Sequence, residues 1–301
     1  MKKIILLTIS CLFALAINAQ VSKIVNVKIA GSLSVLISLN ERTTVTNLTL
    51  TGTIDARDFK FMRDYMSVLS VLDMSAVSIA EYYGMISEIS GLETFPANII
   101  PWHAFCTLDG PSDNYVLSSV LLPPNIVEIG SDAFSNCHAL KNIMIPATVS
   151  YIGSAAFCKC DGFKSIIVNS SIPVPLSLSK YVFAAVDTNN CILYVPNGSK
   201  SAYRSANQWN AFKNIVEFNP LVVDVVPFDK CTVFPNPATT SFSIDINKQS
   251  IIEIYSNDGT LVLKKEVEAN EYISISTLLS GLYLVRIIVD DRIIIKQLLK
   301  Q

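Results

Sequence analysis

Histidine is scarce in this chain: His103 and His138 are the only two among 301 residues. That scarcity withdraws the usual general base and the usual metal ligand from most conceivable sites. Charge is scarce too, at 16% of residues, where an ordinary soluble domain carries roughly 25%. With 23 Lys and Arg against 25 Asp and Glu, the formal net charge is -2. There is no basic excess to release counterions from a phosphate backbone, so nucleic acid is not an expected partner. No Walker loop, dinucleotide fingerprint, G-x-S-x-G or H-E-x-x-H stretch occurs. Accordingly no catalytic residue, metal or cofactor is expected, and the chain is not read as an enzyme. What it has in quantity is apolar character: half of its residues are hydrophobic, which excludes disorder by low hydrophobicity and high charge. The length suits one large domain or two smaller ones.

Lys2 and Lys3 precede an apolar run from Ile4 to Ile17 broken only by Thr8 and Ser10, and Ala19 places a small residue before Gln20. This is the layout of a secretory signal peptide over residues 1–19, because the run is shorter than the ~20 residues a membrane-spanning helix needs. Cys11 sits inside the apolar run with Thr8 three residues before it, so it is not read as a lipid attachment point. No later stretch reaches the ~18 consecutive apolar residues of a membrane span. The mature chain is therefore expected to pass through the membrane during export and to remain soluble or surface-attached. Six cysteines follow the signal, Cys106, Cys137, Cys158, Cys160, Cys191 and Cys231, an even count that permits disulfides without fixing their pairing. Cys158 and Cys160 form C-x-C, one residue short of the redox and zinc spacing.

The chain repeats itself. Laying Pro123 to Ile145 over Pro146 to Val168, an offset of 23 residues, pairs Ile129 with Ile152, Gly130 with Gly153, Ala133 with Ala156, Phe134 with Phe157, Cys137 with Cys160, and Ile143 with Ile166. Leu140, Ile143 and Ile145 in an L-x-x-I-x-I pattern predict a short strand whose alternate residues point inward. Ile126 and Ile129 supply a second inward stretch, Gly130 is expected to allow a tight turn, and Ala133 with Phe134 plugs the interior. One such turn leaves its apolar faces wet, and stacking the next turn covers them. Cys137 and Cys160 occupy matching positions between apolar plugs, which makes them small buried hydrophobes with free thiols. His138 follows Cys137, but neighbours on one strand or loop point apart, so no thiol and base pair is expected.

Degenerate turns extend the pattern. Leu117, Val120 and Leu122 lie 23 residues before Leu140, Ile143 and Ile145. Trp102 to Cys106 resembles the Ala-Phe plug, displaced by roughly six inserted residues around Asp109 to Asn114. Val45 to Thr51 reads as a strand, and Asp55 to Met66 as a helix with Asp55 as its N-cap and Phe59, Met62 and Met66 on one face. At the far end Cys191 to Val195 is strand-like, and Ser199 is expected to cap a helix bearing Ala202, Tyr203, Ala206 and Trp209. The stretches "IPATVSYIGSAAFCKCDGFKSIIV", "LTGTIDARDFKFMRDYMSVLSVLDMS" and "CILYVPNGSKSAYRSANQWNAF" resemble BspA-like leucine-rich repeat proteins of bacterial cell surfaces. The resemblance covers most of Val21 to Phe218, with Ser78 to Asn98 departing from it. It implies a leucine-rich-repeat solenoid with capping ends over residues 20–219 and a surface adhesin or interaction role without catalytic residues.

Pro220, Pro227 and Pro235 mark a change of period, with a linker expected over residues 220–231 and a second domain over 232–301. Ser241 to Ile246, Ile251 to Tyr255, Leu261 to Val267, Tyr272 to Ile275, Gly281 to Val289 and Arg292 to Leu298 alternate as strands, and Asp258-Gly259 between apolar runs signals a hairpin. About seven short strands predict a small Ig-like β-sandwich. Within it, "VFPNPA" at Val233 to Ala238, Asp258-Gly259, Leu278-x-x-Gly281-x-Tyr283 and a Lys-containing terminal strand resemble the type A sorting domain of the type IX secretion system. That resemblance implies an export signal read by the secretion machinery, commonly removed and exchanged for a lipopolysaccharide anchor. It makes Pro235, Asn236, Pro237, Gly259, Gly281, Tyr283 and Lys296 the motif positions. Four of them also have a fold reading: Pro235 and Pro237 shape the entry to the first strand, Gly259 supplies positive φ and Tyr283 packs the core.

Where polar residues are expected to face outward on the repeat strands, Leu121, Met144 and Ile167 stand in register instead. An exposed apolar stripe of this kind marks a partner surface, with Ser119, Asn142 and Ser165 as its polar rim. The expected protein is thus exported, displayed at the cell surface or outer membrane, and binds a protein or glycan through the solenoid. The alternative is a structural component whose stripe and sheet edges join copies of itself. A hydrolase is the remotest reading.

Overall fold

The computed structural model describes residues 21–85, 91–106, 116–218, 233–246, 248–256, 260–289 and 292–301. The expected signal peptide, the inserted loop at Asp109 to Asn114, the linker, Cys231, Asp258 and Gly259 lie outside these. The protein is mainly β, and two large hydrophobic clusters organise it, one spanning Val25 to Ile215 and one spanning Ala238 to Leu298, with a small third of Ala56, Phe95 and Ile99.

The first cluster lies beneath a sheet of eight strands in sequence order: Ser22–Val27, Asn47–Ile54, Val71–Ile79, Ser119–Leu121, Asn142–Ile145, Ser165–Val168, Ile192–Pro196 and Asn214–Phe218. Every pairing in it is parallel. Asn142 and Ser165 are Cα partners, as are Ile143 and Ile166, so the 23-residue offset of the sequence is the register between neighbouring strands. Alternate residues, such as Leu72, Val120, Ile143, Ile166 and Leu193, are buried on the inner face, as the pleat requires. On the far side of each turn, Glu128–Ile129 pairs in parallel with both Ile99–Ile100 and Tyr151–Ile152.

Between these two sheets runs a file of aromatic rings. Phe59, Phe105, Phe134, Phe157, Phe183 and Trp209 follow one another at centroid separations of 5.9, 5.3, 5.7, 5.8 and 4.8 Å. Phe134 and Phe157 are wholly buried and stack at an interplanar angle of 9°. The plugs are held by backbone hydrogen bonds between turns: Phe105 N donates to Ala133 O, Phe134 N to Ala156 O, and Phe157 N to Val182 O. To present these donors each turn adopts left-handed backbone at two non-glycine positions, Asp132, Ala155 and Tyr181 at the first and Asn136, Lys159 and Ala185 at the second. Gly130 and Gly153 each open the expected tight turn, Ala133 N donating to Gly130 O and Ala156 N to Gly153 O, but a left-handed conformation is not what calls for glycine there. Neither has positive φ; a Cβ on Gly153 would stand 2.3 Å from Ser131 N and one on Gly130 2.5 Å from Trp102 N, so glycine is demanded by the close approach of successive turns.

The N-terminal helix Ala56–Tyr65 is closed by a capping box in which Asp55 accepts from Arg57 N and Asp58 accepts from Asp55 N. Asp58 also accepts from Gly31 N at 2.7 Å and Leu33 N at 2.9 Å, tying the first turn to this helix. Where the repeat pattern lapses, Tyr82–Gly84 pairs with Glu93–Phe95 as an antiparallel insertion. Ser199 precedes the helix Lys200–Ser205 but its side chain caps nothing, because its hydroxyl donates back to Pro196 O.

The second cluster is enclosed by seven strands in two antiparallel sheets. Val233–Phe234, Ser241–Ile244 and Ile273–Ser274 form one; Leu261–Val267, Ser250–Tyr255, Gly281–Val289 and Arg292–Lys300 form the other. Phe242, Ile252, Ile254, Val285 and Leu298 are fully buried in the shared core.

Candidate binding face and sorting motif

The outward positions of the eight-stranded sheet form rows across the strands. One passes through Val71, Ser119, Asn142, Ser165, Ile192 and Asn214, each the Cα partner of the next. The next holds Asp73, paired with Leu121, and Met144, paired with Ile167, which pairs with Tyr194, which pairs with Val216. The residues of the expected stripe are thus brought together, and so are those of its rim: the Ser165 hydroxyl donates to Asn142 Oδ1 at 2.7 Å.

Exposure corrects two of these expectations. Leu121 and Met144 are half-buried, but Ile167 is only 8% exposed and Ser119 6%. Ile167 lies between Met144 and Tyr194 on the adjoining strands, and side chains of that size cover it; Ser119, between Val71 and Asn142, is too short to reach past its neighbours. Tyr194 and Val216, not anticipated, extend the apolar row, and Tyr194 meets Phe218 edge to face at 6.5 Å. In both rows the only formal charge is Asp73.

The sulfur and imidazole groups do not converge on a reactive arrangement. Cys137 and Cys160 are fully buried free thiols; burial raises the pKa of both, and Cys160 Sγ donates to Phe134 O at 3.1 Å. Cys191 is pushed up to about 12, chiefly by burial. Thiols so protonated are poor nucleophiles. His138 turns away from Cys137 and places Nδ1 2.8 Å from Asp161 Oδ1 in the following turn. His103 packs on the edge of Trp102, 4.0 Å from Asp132, and burial lowers its pKa.

In the C-terminal unit the motif positions are structural neighbours. The Phe234-Pro235 and Asn236-Pro237 peptides are both cis. Asn236 Oδ1 accepts from Leu299 N at 2.8 Å, Ala238 N donates to Leu299 O, and Gln301 N donates to Ala238 O. Pro235 to Ala238 therefore grips the terminal strand. Gly281 opens its strand opposite Lys300; Tyr283 is buried and its hydroxyl donates to Leu279 O at 2.8 Å. Lys296 pairs with Val285 on the outermost strand, an inward-directed charge of the kind that blunts a sheet edge. On the opposite face Glu253, 5% exposed, is held by Lys264 and Arg286 at 2.8 Å each and by the Tyr255 hydroxyl at 2.9 Å.

Two family models fit this arrangement. Residues 112–215 match the BspA type leucine rich repeat region in six copies, and residues 232–301 match the secretion system C-terminal sorting domain. No curated protein matches the chain. Both matched families are of non-catalytic kinds. The chain carries a BspA-type repeat region followed by a type IX sorting domain. Such a tail engages the type IX machinery and marks an exported bacterial surface protein.

Proposed function

We propose that this protein is a surface-displayed binding protein of adhesin type. Residues 20–219 form a leucine-rich-repeat solenoid that recognises a protein or glycan, residues 220–231 a linker, and residues 232–301 an Ig-like sandwich that directs export after removal of residues 1–19. The near absence of charge across the outward rows of the parallel sheet carries the reading. A face of Asn, Ser, Leu, Met and Tyr with a single carboxylate is a recognition surface for an uncharged partner. Its accessible part is the half-buried Leu121, Met144 and Tyr194 and the exposed Val216, with Asn142 and Ser165 beside them; Ile167 fills the row between Met144 and Tyr194.

The test is binding of the exported chain to an array of cell-surface glycans and to purified surface proteins. Met144→Glu should preserve the circular dichroism spectrum and remove the strongest interaction. Undiminished binding by this variant, with its fold intact, would sink the reading.

One observation favours self-association as the second reading. The outermost strands, Ser22–Val27 and Asn214–Phe218, each pair on one side only among the described residues, and they expose Ile24 and Val216. Open edges invite further strands. Sedimentation of the exported chain as a monomer at micromolar concentration would remove it.

A further inference from the structure

The connection between Ser165–Val168 and Ile192–Pro196 runs in a 27-residue register where the preceding turn uses 23. Most of the added chain lies between Val168 and Phe183. It carries Ile172, Leu178 and Tyr181 at 75, 89 and 71% exposure, among the most solvent-exposed large apolar side chains in the repeat region. Beside them Pro173 to Ser177, the helix residues Ala202 and Ser205, and Ala206 just after the helix line an open groove of about 380 Å³. The loop is braced from below: Trp209 Nε1 donates to Val174 O, Gln208 Nε2 to Leu176 O and Ser179 O, and the Tyr203 hydroxyl to Ser170 O.

Charge within the segments that build this loop and its flank is of one sign. Segments 170–186 and 197–213, which build the loop and its flank, contain Lys180, Lys200, Arg204 and Lys213 and no Asp or Glu. The nearest carboxylates in sequence are engaged locally, Asp187 by Asn190 and Glu217 by the Lys200 amide.

We propose that this loop docks the protein on an anionic lipid surface. Ile172 and Leu178 insert among acyl chains, Tyr181 sits at headgroup level, and Lys180 and Arg204 meet the headgroups. Protrusion separates this from a peptide-binding groove: the apolar groups stand out from a rigid, proline-stiffened loop rather than lining a pocket, as interfacial anchors do. The basic rim supplies complementarity to negative headgroups, each cation strengthening attachment about fivefold.

The experiment is flotation of the exported full-length chain with vesicles of phosphatidylcholine containing one-third phosphatidylglycerol, and with phosphatidylcholine alone. Binding is expected to the mixed vesicles, weaker to the neutral ones, and reduced by salt. Lys180→Ala combined with Arg204→Ala should weaken the partition coefficient about 25-fold. Leu178→Asp should weaken it at least about tenfold on both vesicle types. Both variants alter exposed side chains, and an unchanged circular dichroism spectrum confirms that they fold. No binding to mixed vesicles, binding indifferent to these substitutions, or capture of an acidic peptide without flotation would each overturn the proposal.

Discussion

If stability in the repeat region is transmitted only between neighbouring turns, then rings in contact should couple and rings two turns apart should not. Phe134 stacks on Phe157 at 5.7 Å and Phe157 on Phe183 at 5.8 Å, the ring planes nearly parallel in both cases, which places Phe183 beyond contact with Phe134. Leucine in place of each phenylalanine keeps most of the buried volume and costs up to about 1.5 kcal/mol by repacking. It also removes the ring pair, worth about 0.5–1.5 kcal/mol beyond area burial. The double variant Phe134→Leu/Phe157→Leu should therefore depart from additivity by about 1 kcal/mol, because the second substitution loses a stack the first has already abolished. Phe134→Leu with Phe183→Leu should add to within about 0.5 kcal/mol. Urea unfolding followed by far-ultraviolet circular dichroism gives all the required values. Equal coupling in the two cycles, or none in the adjacent one, would refute a chain of nearest-neighbour contacts.

Two further expectations concern the C-terminal unit. Burial of Glu253 tends to raise its pKa, but hydrogen bonds and charge from Lys264, Tyr255 and Arg286 outweigh this and hold it below the usual range. A carboxylate with a folded-state pKa below its unfolded value contributes stability above about pH 4.3 and forfeits it as pH falls through the folded value. Acid titration of unfolding should thus be less steep in Glu253→Gln than in the unaltered chain, and identical slopes would contradict the assignment. Asn236→Ala leaves the Leu299 amide without its side-chain acceptor, a loss of about 1–2 kcal/mol; hydrogen exchange at Leu299 should accelerate at least about tenfold and export should fall, whereas unchanged exchange would show that the grip is dispensable.

The repeat was legible because its chemistry is periodic: Phe134 and Phe157 recur at the spacing that becomes strand register, and the plug at Phe105 was visible despite its displacement. The left-handed residues were not, since Ala155, Lys159 and Tyr181 carry no glycine signature; the ladder of turn-to-turn hydrogen bonds imposes their conformation. The turns at Gly130 and Gly153 were legible, but the close approach of the neighbouring backbone that demands glycine there was not, because sequence shows a missing side chain and not what crowds against it. The apolar row was foreseen through Ile167 and lost beyond it, as the register to Tyr194 lengthens to 27 residues and that to Val216 shortens to 22. The burial of Ile167 depends on the bulk of Tyr194, a neighbour that the fixed offset of 23 does not find. In the tail, the motif residues were recognisable as a pattern, but the grip of Asn236 on Leu299 joins positions 63 apart and has no local signal.

That grip has a temporal meaning. The Pro-Asn-Pro segment is made first and waits for its counterpart while 63 further residues are added, so the tail has no latch during synthesis and gains one only when Leu299 and Gln301 arrive. A secretion apparatus that reads the latched form would pass over any chain in which these two segments have not yet met.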